Sequence, residues 1–394
     1  MLKVFGLALI GVSLATGCSD SGETPRPSDP GPVHDKTQEA GDLPYDLNDV
    51  SFLYPLPPAD ALDALLPLSR AGERGPLLSA ALYAKLDGSI NLSHELSSFH
   101  VVGVRVDPCF PSTAPPVSSC IKEIRLVAQP ILTDPATHTV TTRDVAIHLF
   151  YDLDDGEWSG LLSQLAALKK LAGNKTDHAP LEVHPVMLAE GLDGPYAQAL
   201  HRLVLEGAGD RNLVRVATSV AIFDQSWDFR SFDRSGDSLT ATPIPRIGTE
   251  TTQHFANSAG THNIGTMSPR PTPDDLSLLL DEPKLSSAPD ADVATAARAA
   301  VASENPNLTN RVTTDCMTCH VATRARGLAE TIRHVDTEHF DERFRDPRFD
   351  LRLDSPVATD IVSQRAFGYL DAKPAFNQRM IHETATVAAA LSTK

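Results

Sequence analysis

Apolar and polar residues alternate with a period of two in several stretches of the first half of the chain. Val102, Val104 and Val106 alternate with Gly103 and Arg105, and the run stops at Pro108. Ile124, Leu126 and Ala128 alternate with Arg125 and Val127, until Pro130. Val145, Ile147, Leu149 and Tyr151 repeat the pattern, as do Val214, Val216, Thr218, Val220 and Ile222. Period two is the signature of a strand with one face covered. Trp227 and Phe229 begin another short strand, and Ser235-Gly236 predicts a hairpin turn into Leu239. Helical spacing interrupts these strands twice. Trp158, Leu161, Leu162, Leu165 and Leu168 share a face closed off by Gly173-Asn174, and Pro195 opens a second helix that Gly207 stops. Strands that follow one another without regular helical crossovers predict an antiparallel α+β domain over residues 46–246.

Beyond it the pattern weakens. Residues 247–288 are rich in Thr, Ser, Pro and Asp and read as an extended linker. Pro289, with Asp290 and Asp292, opens an Ala-rich helix that ends at Asn305-Pro306, and a last helix is predicted from Asn377 to Leu391. Residues 289–394 are therefore expected to form a small all-α domain, which makes the chain α+β as a whole.

The N-terminus changes the picture of where the chain works. Lys3 is the only charge in the first seventeen residues and is followed by the apolar run Val4 to Leu14. That run is too short for a permanent span and suits a cleaved export signal. Leu14-Ala15-Thr16-Gly17-Cys18 resembles a bacterial lipoprotein lipobox, with Ala15 where the pattern usually has Leu. The resemblance implies a signal peptide over 1–17, acylation of Cys18 and a lipid anchor. Ser19 implies the outer membrane, facing the periplasm. Soluble periplasmic export is the alternative. Residues 18–45, mostly Ser, Asp, Pro, Gly and Glu, read as a flexible tether. A net charge of −17 opposes phosphate binding, so nucleic acid is not expected as a partner and a basic protein is.

Five cysteines remain to be assigned. With Cys18 acylated, Cys109 and Cys120 form one pair, a disulfide expected in an oxidising compartment; two free thiols are the alternative. Cys316-Met317-Thr318-Cys319-His320 is a C-x-x-C-H sequence. The spacing suits covalent attachment of one haem c. Two thiols add across the porphyrin vinyl groups, and the histidine directly after the second cysteine becomes an axial iron ligand. A thioredoxin-like pair would want a βαβ setting. A zinc site would need further ligands, for which His334 and His339 are nearby in sequence.

In its order of helix, attachment motif, irregular region and C-terminal helix, the segment 289–394 resembles class I cytochromes c. The resemblance implies an all-α cytochrome c-like fold, single-electron transfer to a redox partner, and a distal methionine from the chain leading to the last helix, which here nominates Met380. The long charged stretch from Asp336 to Asp354 departs from that family, as does the lack of a clear Met-bearing loop. His334, His339 and His382 compete for the distal place. Arg324 and Arg326 suit haem propionates or a solvated helix face. His148 and His201 read as structural, His254 and His262 as solvated linker residues. Two other functions stay open: a haem enzyme with an open iron site, and a partner-binding lipoprotein with an auxiliary haem.

Overall fold

A computed structural model describes residues 44–87, 95–110, 120–134, 136–223, 226–257, 265–270, 276–355 and 364–392. The export signal 1–17, Cys18, the tether up to residue 43 and His262 lie outside the described residues. In chain order the strands are β1 (Ser51–Leu53), β2 (Ala71–Gly72), β3 (Gly75–Pro76), β4 (Phe99–Phe110), β5 (Ile121–Thr133), β6 (Val140–Thr142), β7 (Val145–Leu153), β8 (Leu213–Phe223), β9 (Ser226–Ser235), β10 (Ser238–Ala241), β11 (Thr252–Asn257), β12 (Gly265–Ser268), β13 (Phe367–Leu370) and β14 (Lys373–Phe376). The α-helices are α1 (Ala80–Asp87), α2 (Asp155–Ala172), α3 (Pro185–Glu190), α4 (Pro195–Gly207), α5 (Ser277–Leu280), α6 (Glu282–Ser287), α7 (Asp290–Glu304), α8 (Cys316–Arg333) and α9 (Gln378–Ser392). The fold is α+β, and all the described residues belong to one compact unit.

Among the described residues a ten-stranded sheet runs in the order β1-β4-β5-β7-β8-β9-β11-β12, with β6 on β5 and β10 on β9. Its neighbours pair antiparallel throughout. The two faces differ because the strands alternate. Val104, Val106, Ile124, Leu126, Ile147, Leu149, Tyr151 and Val216 are buried in one apolar cluster with Trp158, Leu161 and Leu165 of α2 and Leu200, Leu203 and Val204 of α4. Each helix starts where the local chemistry directs. Asp154 and Glu157 form a capping box on α2, and Pro195 stands in the first turn of α4.

The opposite face carries Gly103, Arg105, Arg125, Val127, His148, Phe150, Arg215 and Ala217, and the C-terminal segment covers it. The β13–β14 hairpin packs on β4 and β5, and α9 packs on β4. Phe367 lies so close over Gly103 that a Cβ there would stand 2.4 Å from Cε1 of the ring. The side chain of Gln129 fastens the hairpin by accepting from the Tyr369 N–H at 2.7 Å and donating to the Tyr369 carbonyl at 2.8 Å.

Two expectations change here. The stretch 247–288, read as an extended linker, supplies β11, the edge strand β12 and helices α5 and α6. Phe255 and Met267 anchor the two strands because they bury against Trp227, Phe229 and α5 to α8 in a second apolar cluster. The segment 289–394, read as all-α, contains the β13–β14 hairpin, and this hairpin and α9 complete the core of the large sheet. Tyr45, expected in the tether, is buried and donates its N–H to Ser392 Oγ at 2.9 Å. No helix among the described residues is long and apolar enough to cross a membrane.

Candidate functional site

The C-x-x-C-H sequence opens a helix. Asp315 is the N-cap of α8, and its carboxylate accepts from the Thr318 N–H at 3.0 Å. Cys316 is the first helical residue, so Cys316, Cys319 and His320 stand at i, i+3 and i+4 on one side of the helix. Met317 and Thr318 turn the other way and are buried. The first turn is pinned to the sheet edge by Gln253 of β11, whose side chain donates to Asp315 Oδ2 at 2.8 Å and accepts from the Met317 N–H at 2.9 Å. Gln253 lies in the stretch whose composition suggested a linker, and only an apolar residue two positions on, Phe255, hinted at a strand.

Cys316, Cys319 and His320 all line one cavity of about 410 Å³ between α8, α9 and the polar sheet face. This is within the range of small-molecule and cofactor sites, roughly 300–1,000 Å³. Strand register sets its floor in rows. Val127, His148 and Ala217 are direct cross-strand partners on β5, β7 and β8. Two residues along, about 7 Å away, Arg125, Phe150 and Arg215 form the next row, and Arg105 pairs with Arg125 from β4. Six arginines and three carboxylates line the cavity in all. Arg105 bonds Glu383 at 3.0 Å, Arg125 bonds Glu123 at 2.8 Å and stacks on Phe150, and Arg215 pairs with Asp233. Even so, Arg105 Nε, Arg215 Nη1 and Arg230 Nε have no hydrogen-bond partner among the described residues.

His320 is held by a second layer of contacts. Its Nδ1 lies 2.5 Å from the carbonyl oxygen of Gln364, and Phe229 packs against the ring at 4.7 Å between centroids. Asp144, in the turn between β6 and β7, fixes that carbonyl. Its carboxylate accepts from the Gln364 N–H at 2.6 Å, from Trp227 Nε1 at 2.9 Å, and from the Arg365 guanidinium at 2.8 Å and 3.2 Å. A ligating histidine typically donates its other ring N–H in this way, which fixes the tautomer and leaves Nε2 as the donor to a metal. Burial holds the His320 imidazole down at about 4 and His148 well below the ordinary histidine range, so both rings are neutral.

Burial also pushes the Cys316 thiol up to about 12 and the Cys319 thiol up to about 11. Thiols that resist ionisation are not ready nucleophiles. A neutral thioether is at home in such surroundings. Among the described residues no group of three His, Cys, Asp or Glu side chains is placed to hold a metal ion. His334 caps the far end of α8, about 27 Å along the helix from Cys316 at ~1.5 Å per residue. His339 pairs with Asp336 at 2.6 Å on the exterior. The donor set, the arginine nitrogens without partners and the cavity volume fit a covalently held haem, which Cys316, Cys319 and His320 would hold.

The remaining sequence-nominated residues separate cleanly. Met380 of α9 lines the cavity. His382 does not, and both its ring nitrogens are engaged, with the Glu304 carbonyl at 2.8 Å and Gln378 Nε2 at 3.0 Å. Arg326 pairs with Glu304 at 2.9 Å and Glu330 at 2.8 Å, outside the cavity lining. His201 is buried against Tyr54, and His254 pairs with Asp228. Cys109 and Cys120 are joined by a disulfide, and Cys109 lines the far end of the cavity. No protein-family model, curated protein or solved structure matches the chain.

Proposed function

We propose that this chain is a monohaem c-type cytochrome that transfers single electrons in the cell envelope, anchored by an acylated Cys18 and facing the periplasm. The observation that carries this reading is the convergence of Cys316, Cys319 and a carbonyl-oriented His320 on one cavity. Haem, when bound, supplies a one-electron iron couple whose potential depends on axial ligands and burial. The residues of the chain do the rest. Cys316 and Cys319 tether the macrocycle, which prevents its loss outside the cytoplasm. His320 presents Nε2 because the Gln364 carbonyl holds Nδ1. Arg105, Arg215 and Arg230 each keep one nitrogen without a partner among the described residues, which would be free to donate to a haem carboxylate. Phe229, Phe150 and Val127 line the cavity and would limit the water inside it. The net charge of −17 favours a redox partner with a basic face.

A redox titration of the purified holoprotein tests electron transfer against catalysis. The expected result is a reversible one-electron curve, with spectra unchanged by hydrogen peroxide. Rapid peroxide-dependent turnover of an electron donor, with a spectrum that peroxide alters, would favour a haem enzyme instead.

A further inference from the structure

Resting on that haem reading, we propose that the second axial ligand of the iron is His148, delivered from β7 at the centre of the sheet. Among the described residues, His148 and His320 are the two histidines that line the cavity. His148 stands in the middle of the floor with small neighbours. Val127 and Ala217 flank it, and Gly103 and Ser231 lie beyond them on the same row. An imidazole between small side chains can rise above the sheet and be reached by a flat group. The next row begins the arginines, so one sheet face offers an iron ligand and carboxylate partners in register.

The imidazole is also unspent. No hydrogen bond among the described residues reaches the ring of His148, although it sits within the fold at the cavity wall. The ring is half-buried at the cavity wall with no partner among the described residues, and coordination would supply one without breaking an existing hydrogen bond. Met380, the other candidate on the wall, has no such need. It is buried in the apolar cluster with Phe367, Phe376 and Ile381, where a thioether is satisfied by packing alone. The assignment replaces a methionine from the last helix with a histidine from the sheet, so the sheet and α8 would each contribute one ligand. An iron with two imidazoles has a lower potential than one with a thioether.

The test uses the full chain exported in a host with cytochrome c maturation. Optical and electron-paramagnetic-resonance spectra are taken for the wild type, His148→Ala, His148→Met and Met380→Ala. The wild type should be low-spin and lack the weak near-infrared absorbance of sulfur ligation. His148→Ala should keep its covalent haem, turn high-spin and return to low-spin on adding imidazole. His148→Met should gain the near-infrared absorbance, which gives a positive signal even if the alanine variant folds poorly. Met380→Ala should stay low-spin. A near-infrared band in the wild type that disappears in Met380→Ala would overturn the inference and leave the haem reading standing. So would a His148→Ala spectrum identical to the wild type. Wild-type protein without covalent haem would overturn both.

Discussion

Asp144 shows how much of the site depends on a residue that touches none of the chemistry. Its carboxylate satisfies the fully buried Arg365 guanidinium, the Trp227 indole and the Gln364 N–H, and the Gln364 carbonyl in turn orients His320. Removing one partner of a buried ion pair leaves the other charge uncompensated, at a cost of about 3–5 kcal/mol. Asp144→Ala should therefore lower the unfolding free energy in urea by roughly that amount, whereas a loss below about 1 kcal/mol would show that Arg365 finds another partner. At this scale the C-x-x-C-H sequence on which the haem proposal rests was legible from five consecutive residues, because that chemistry demands them at fixed spacing. Asp144, Gln253 and His148 were not. Each is an ordinary polar residue in a strand or turn, and Gln253 and Asp144 meet their partners 62 and 220 positions away.

Among the elements, the strands that alternate cleanly were legible, and β4, β5, β7 and β8 lie where Val102–Val106, Ile124–Ala128, Val145–Tyr151 and Val214–Ile222 predict. Helices α2, α4, α7 and α9 follow from their caps and spacing in the same way. Strands β11 and β12 escaped notice because their Thr, Gln and Ser residues resemble a linker when the partner strand is unknown. The β13–β14 hairpin escaped for a related reason, since its stability comes from Gln129 and Gly103 on the sheet below. Gly103 is the point of closest approach. Any Cβ there meets the Phe367 ring, and overpacking of this kind costs about 1–3 kcal/mol. Gly103→Ala should lower stability by that much, read from urea or thermal unfolding. Unchanged stability would mean that the hairpin rides higher above the sheet than the described contact.

For the molecule as a whole, the polar face of the sheet is the informative feature. A half-exposed antiparallel sheet is common, yet here the polar face is covered by α9, the hairpin and the start of α8, with a cavity of about 410 Å³ left between. Sequence patterning revealed that this face was not apolar. It could not reveal that the last residues of the chain return to roof it, because that contact spans the chain and leaves no local signal. β11 stands in the sheet yet packs in the cluster of α5 to α8, while β13 and α9, from the C-terminal segment, pack in the core of the large sheet. The most direct measurement is the intact mass of the full chain under denaturing conditions, after export from a host with cytochrome c maturation. The expected mass is that of the mature polypeptide plus one haem, with the increment lost when Cys316 and Cys319 are both replaced by Ala. Wild-type protein from that host at the bare polypeptide mass would contradict it.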